Sequence, residues 1–192
     1  MIELIQTMTP LAQTGKPDAL ALARAGNLAA FEQLVADHER LVLRTAWRFL
    51  GHREDAQDAA QEVFLRLYKN VGKLRDDTAI EAWLYRVTMN VCQDLRRKRT
   101  SGPTALIDLR ASEMPRIDHA IDIEQQTAAL MDLISALPDK ERAALVLREL
   151  EERSTREVAE ILGSSEVTVR SQISSARAKL KTWISELRRT EP

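Results

Sequence analysis

Arg86, Asn90, Gln93 and Arg97 follow one another at spacings of four, three and four. At that interval side chains share one face of an α-helix. Guanidinium groups on such a face can neutralise phosphates, and the amides of Asn90 and Gln93 can read base edges. Arg96, Lys98 and Arg99 extend the positive end. Trp83 and Tyr85 lie near its start, where a base could stack, although Trp83 suits a core position better. The plainer account is a solvated helix C-terminus, where Lys and Arg are favoured by the helix dipole.

A second constellation lies further along. Ser154-Thr155-Arg156-Glu157 has capping-box spacing, with Ser154 satisfying free amides and Glu157 reaching back. Val158, Ala159 and Leu162 then face inward, and Gly163 offers the positive φ of a tight turn. A long helix follows from near Ser165, with Val169, Ile173, Ala176, Leu180 and Leu187 as its inner stripe. That arrangement leaves Arg170, Ser171, Ser174 and Lys181 pointing elsewhere. This is the pattern of a helix-turn-helix, whose second helix fits a major groove. A plain helical hairpin with a basic face is the alternative.

Asp58, Gln61, Glu62 and Arg66 form a third set, a polar face suited either to docking on a protein or simply to water. Asp55 and Asp58 also suit the start of a helix. Enzyme chemistry is not foreseen: there is no Gly-rich phosphate loop and no nucleophile beside a His and an acid. Cys92 is the only cysteine, and His38, His52 and His119 are scattered. The expectation is therefore no disulfide, no metal and no cofactor.

Positioning these residues requires helices. The 192-residue chain is 44% hydrophobic and 30% charged but only 4% aromatic, so a core must rest on Leu, Val, Ile and Ala. Strand alternation and hairpin dipeptides do not recur, which predicts an all-α protein. Leu28, Phe31, Leu34, Val35 and Val42 mark one helix face, Ala56, Ala60, Val63 and Leu67 a second, and Ile80, Leu84, Val87, Val91 and Leu95 a third. Ser101-Gly102-Pro103 then breaks the pattern. Leu130, Leu133, Ile134 and Leu137 resume it, and Pro138 stands where a first-turn proline would open the next helix. The expected organisation is a leader over 1–17, a helical domain over 18–100, a flexible linker over 101–122 and a second helical domain over 123–192 that holds the helix-turn-helix. Each unit is small, so a partner is expected to fix their relative arrangement. The net charge of -1 hides local basic patches, which suits a chain that touches both protein and DNA. The start carries Glu3 and no long apolar run, and no stretch approaches a membrane span. Membrane insertion is not expected, and a cytoplasmic location is.

The two halves together resemble the extracytoplasmic-function (ECF) class of the sigma-70 superfamily. Asp55-Ala56-Gln57-Asp58-Ala59-Ala60-Gln61-Glu62-Val63-Phe64-Leu65-Arg66-Leu67-Tyr68 is similar to the family's core-polymerase-binding helix. Ala82 to Asn90, followed by Asp94-Leu95-Arg96-Arg97, is similar to its minus-ten recognition helix. Leu137-Pro138, Arg142, Leu147-Arg148-Glu149-Leu150 and Thr168-Val169-Arg170-Ser171 with Ala176-Arg177 resemble region four, which reads the minus-thirty-five element. The resemblance implies a subunit that binds core RNA polymerase and promoter DNA and is silenced by an anti-sigma factor. It assigns Asp55, Asp58, Gln61, Glu62, Phe64 and Arg66 to core polymerase. Arg86, Asn90, Gln93, Arg96, Arg97 and Lys98 would serve the minus-ten element, with the loop from Gly72 to Ala79 helping to hold a flipped base. Arg148, Thr168, Arg170, Ser171, Ser174 and Arg177 would serve the minus-thirty-five element. Departures from the family pattern fall at Glu152 and Arg153, where Gly and an apolar residue are usual, and at Gln172, Ser174 and Ser175, where bulkier or cationic residues are usual. The rival is a helix-turn-helix regulator of the response-regulator type, which would need a receiver or ligand domain in the first half.

Overall fold

A computed structural model describes residues 19–74, 77–100 and 123–189. The regular structure among them is helical throughout. The first half comprises α1 (Ala19–Arg24), α2 (Leu28–Leu50), α3 (Arg53–Asn70), a 3₁₀ turn at Val71–Lys73, and α4 (Asp77–Thr100). The second comprises α5 (Ile123–Ser135), α6 (Asp139–Leu145), one π-helical turn at Val146–Leu150, α7 (Thr155–Leu162) and α8 (Glu166–Arg189). The leader, the linker over 101–122 and most of the loop assigned to a flipped base lie outside the described residues. Among those described, no helix is long and apolar enough to cross a membrane.

Local signals set the boundaries of these helices. Asn27 caps α2, its side chain accepting from the Ala30 amide at 3.0 Å. Gly51, at φ 79°, ends the helix in the left-handed conformation. Glu54 and Asp55 open α3 at the positive end of its dipole. Pro138 occupies the cap before α6 rather than its first turn.

The first half is a bundle of α2, α3 and α4. Leu34, Val42, Ala46 and Phe49 pack against Ala56, Ala59, Ala60, Val63 and Leu67 and against Ile80, Leu84, Met89, Val91 and Cys92. The stripes expected on α3 and α4 face this core, with Val87 and Leu95 at its margin. Leu28 does not: it lies in the first turn of α2, 62% exposed, and burial on that helix begins only at Leu34.

In the second half, the backbone between α6 and α7 carries an extra residue. The Glu151 amide donates to the Val146 carbonyl, five residues back, at 2.9 Å, the signature of a π turn. Glu152 then adopts φ 56°, where the sequence offers Glu in place of the family's usual Gly. Ser154 and Glu157 complete the capping box, with contacts of 3.2 and 2.8 Å. These hydrogen bonds hold the Glu157 carboxyl below its usual range. Gly163 makes the tight turn at φ 60°.

The two halves pack directly on each other. Ala143, Ala144, Leu147, Val158, Ala159, Ile161, Val169 and Ile173 join the core of the first bundle. Trp47 of α2 also contacts a second cluster formed by Met131, Ile134, Leu137, Leu145, Val146 and Ala176. The sequence reading looks to a partner to fix the arrangement, whereas here the halves fix it on one another. Arg142 is fully buried at the junction and donates to the Phe49 carbonyl at 3.2 Å and the Leu137 carbonyl at 2.8 Å. Burial, reinforced by the nearby charge of Arg96, pushes its pKa down to about 9.

Two outcomes follow from this packing. A left-handed φ costs an L-residue about 1–2 kcal/mol that glycine avoids, part of which returns as glycine's greater freedom when unfolded. Glu152→Gly is therefore expected to raise Tm by about 2–4 °C, and a lower Tm in thermal melts would count against the strained turn. The Cys92 thiol is buried, and burial, with the charge of Asp55, raises its pKa to about 12. An aromatic disulfide reagent is expected to label it only along the unfolding transition, and rapid labelling of the native chain would contradict the core placement.

Candidate nucleic-acid and protein interfaces

Helix α8 presents the residues expected to enter a groove. Its first turn is capped by Ser165, whose Oγ accepts from the Thr168 amide at 3.1 Å and lies 2.8 Å from the Thr168 hydroxyl. Thr168, Arg170, Ser171, Ser174 and Arg177 are exposed. A shallow depression brings Arg148 from the π turn together with Thr155, Arg170, Ser174 and Arg177. Four of the six side chains assigned to the upstream element thus meet at one place, with Thr168 and Ser171 on the same helix beside it.

Carboxylates already hold several of the bases. Arg170 pairs with Glu166 at 2.6 Å and Arg177 with Glu149 at 2.7 Å. Lys179 pairs with Glu141 of α6 at 2.8 Å. The first two pairs are exposed, so each is worth at most about 1 kcal/mol and can be exchanged for a phosphate. Ser175 donates to the same Glu141 at 3.1 Å. Its side chain therefore faces α6, and the departure from the family pattern at this position alters packing between helices rather than the open groove. Ser174 does line the groove.

On α4, Asn90, Arg97 and Lys98 are exposed and Gln93 is half-buried. Arg97 pairs with Asp94 at 2.9 Å. Residues at either end of this face are held by the second half of the chain. Arg86 donates to the Glu160 carbonyl of α7 at 2.7 Å. Arg96 pairs with Asp139 at 2.8 Å and donates to the Ser135 carbonyl at 3.3 Å. Tyr85 is buried and donates to Glu151 at 3.2 Å, and the Arg153 guanidinium stacks 5.1 Å from its ring centre. Desolvation, then the Glu151 charge, pushes the Tyr85 phenol up to about 12. In this arrangement Tyr85 is not available as a stacking platform. Trp83 is half-buried against the core, as its residue type suggests.

On α3, Asp55 pairs with Arg99 of α4, Glu62 pairs with Arg66 at 2.7 Å, and Phe64 packs against the core. Asp58 and Gln61 are exposed. Sequence reasoning missed two residues that continue their row. Leu65 and Tyr68 are 55% and 61% exposed, and the spacing 58, 61, 65, 68 places all four on one helical face. The Tyr68 ring meets Phe31 edge-on at 5.2 Å. The same three-four spacing could have revealed them, had exposed apolar residues been sought on a polar face. Among the described residues, no group of His, Cys, Asp or Glu could hold a metal ion.

A family model described as Sigma-70 region 2 matches residues 34–102, and one described as Sigma-70, region 4 matches residues 127–180. The chain is 34% identical over 170 residues to the ECF RNA polymerase sigma factor SigM of Mycobacterium tuberculosis, covering 88% of this chain and 85% of that protein. CnrH, solved in complex with the cytosolic domain of CnrY, superposes with a TM-score of 0.64 at 27% identity, over 88% of this chain and 96% of that one. The sigma factor RpoE of Bartonella quintana, solved with the anti-sigma factor NepR, shares the fold with a TM-score of 0.62 at 18% identity, over 82% of this chain and 98% of that one. The first half, where a response regulator would carry its receiver, is thus filled by sigma region 2, and the helix-turn-helix half by region 4. The chain belongs to the ECF class of the sigma-70 family, the non-enzymatic subunits that bind core RNA polymerase and direct it to promoters.

Proposed function

We propose that this factor divides initiation among three surfaces. The exposed row of α3, Asp58, Gln61, Leu65 and Tyr68 flanked by Glu62 and Arg66, docks on core polymerase in the cytoplasm. The polar face of α4, with Asn90 and Gln93 at its centre and Arg86, Arg96, Arg97 and Lys98 around them, engages the minus-ten element. The groove beside α8 seats the minus-thirty-five duplex, Arg148 and Arg177 contacting phosphates and Arg170 and Ser171 approaching base edges. The convergence of Arg148, Arg170, Ser174 and Arg177 in one depression carries the assignment. Residues 18–100 and 123–192 act as the two working units and 101–122 as their tether.

An anti-sigma protein is the expected silencer. The RpoE relative is solved with such a partner. On this chain the patch around Leu65 and Tyr68 is an apolar surface of the kind that binds proteins. A silencer covering it would exclude polymerase by occupying the same row.

Asp58→Arg combined with Leu65→Asp is expected to weaken core polymerase binding by at least about tenfold, or roughly 1.4 kcal/mol, with an unchanged circular dichroism spectrum. Normal co-purification with core would remove α3 from the docking role. On the DNA side, Glu149→Gln releases Arg177 from its ion pair. The variant holoenzyme should bind promoter DNA more tightly, and the salt slope of log affinity should steepen by about 0.9 for the one phosphate gained. A slope equal to that of the native factor would mean that Arg177 does not reach the backbone.

A further inference from the structure

Glu151 belongs to the second half of the chain, yet its carboxylate is buried against the first. Its side-chain exposure is 0%, and it accepts from Arg44 at 2.7 Å, Arg48 at 3.0 Å and Tyr85 at 3.2 Å. Arg48 also donates to the Leu150 carbonyl. Arg153 closes the site from above, stacked on Tyr85 and 3.6 Å from Glu81. Arg44 and Arg48 lie four residues apart on one face of α2, and Tyr85 comes from α4. Together they form an anion seat whose present occupant is supplied by the chain itself.

Occupying the seat has a spatial consequence. With Glu151 in place, α7 lies along α4 and takes Arg86, while α5 and α6 take Arg96. Promoter elements centred near minus ten and minus thirty-five stand roughly 25 base pairs apart, which at about 3.4 Å per pair is on the order of 85 Å. A small domain is only about 30 Å across, so halves in contact cannot reach both. Residues 101–122 can extend to roughly 75 Å at about 3.5 Å per residue, enough for the halves to separate. Separation withdraws Glu151 and leaves two guanidinium groups and a phenol beside the nucleic-acid face of α4. Such a set forms charge-assisted hydrogen bonds to phosphate oxygens as readily as to a carboxylate.

We propose that the Arg44–Arg48–Tyr85 seat has two alternating occupants: Glu151 in a closed, autoinhibited chain, and a backbone phosphate of promoter DNA in the open one. Glu151 thereby acts as a latch. DNA and the latch compete, so a free factor has weak affinity for DNA until polymerase holds its halves apart. The competition rests on α4 being the promoter helix, but the latch itself does not.

The test uses the full-length chain with fluorophores at Gln57→Cys and Ser185→Cys, exposed positions on α3 and α8. Energy transfer between them reports closure. Glu151→Gln should lower the transfer and tighten binding of a mixed-sequence single-stranded DNA by about three- to tenfold, with a salt slope steeper by about 0.7 for the added phosphate. Adding Arg44→Ala to that variant should abolish the gain in affinity while leaving the chain open. Unchanged transfer in Glu151→Gln overturns the latch, and undiminished DNA affinity in the double variant overturns the phosphate seat. Should Glu151→Gln fail to fold, the native chain still decides: saturating single-stranded DNA must lower the transfer, and DNA bound without such a change refutes the competition. Loss of promoter-directed transcription on changing Asn90 is a separate readout of the α4 assignment. Its absence would strike that assignment and leave the closure result standing.

Discussion

A carboxylate stripped of water has to be compensated by cations and donors at close range, because the desolvation cost of a buried ion is several kcal/mol. Glu151 meets that condition only where Arg44, Arg48 and Tyr85 converge. Much of the surrounding architecture follows from the need to bring it there. The extra residue of the π turn carries Glu151 toward α2, and Glu152 accepts a left-handed conformation so that the chain can turn back. Arg153, standing where an apolar residue is usual, caps the aromatic wall of the site, and the capping box then launches α7 along α4. Removing the acid alone leaves two cations facing each other, so the interaction contributes more to specifying the closed arrangement than to net stability.

Periodicity made much of the fold legible, because each helix buries one stripe and local residues mark its ends. The stripes on α3 and α4, the Ser154 capping box and the Gly163 turn were all readable from neighbours within four positions in the chain. The contact between halves was not. Glu151 lies 107 residues from Arg44, and no local pattern distinguishes an acid destined for burial from one left in water. Leu28 misled for a related reason: it has the spacing of a core residue but sits before the helix meets the bundle. Leu65 and Tyr68 were passed over because an exposed apolar residue on a polar face looks like noise until its neighbours are known. The roles assigned to Asp58, Asn90 and Arg170 rest on resemblance together with position on their helices.

Charge is distributed with the same economy. The chain carries nearly equal numbers of acids and bases, and several of its upstream DNA-binding candidates are matched by a carboxylate within one or two turns or on the adjoining helix. Such pairs cost little to exchange and suppress non-specific attraction to nucleic acid. A factor that releases DNA readily when alone gains its selectivity from the polymerase that positions it.

Trp47 lies between Arg44 and Arg48 on the inner face of α2 and touches the cores of both halves. The last two turns of α2 are thus covalently part of one domain and physically part of the other. Exchange of region 4 between related factors, whether by recombination or in the laboratory, separates a carboxylate and its neighbours from a tryptophan and two arginines that travel with the opposite segment. The unit of modular inheritance is therefore not the domain as the chain draws it, but the second domain together with a short stretch of helix more than seventy residues upstream.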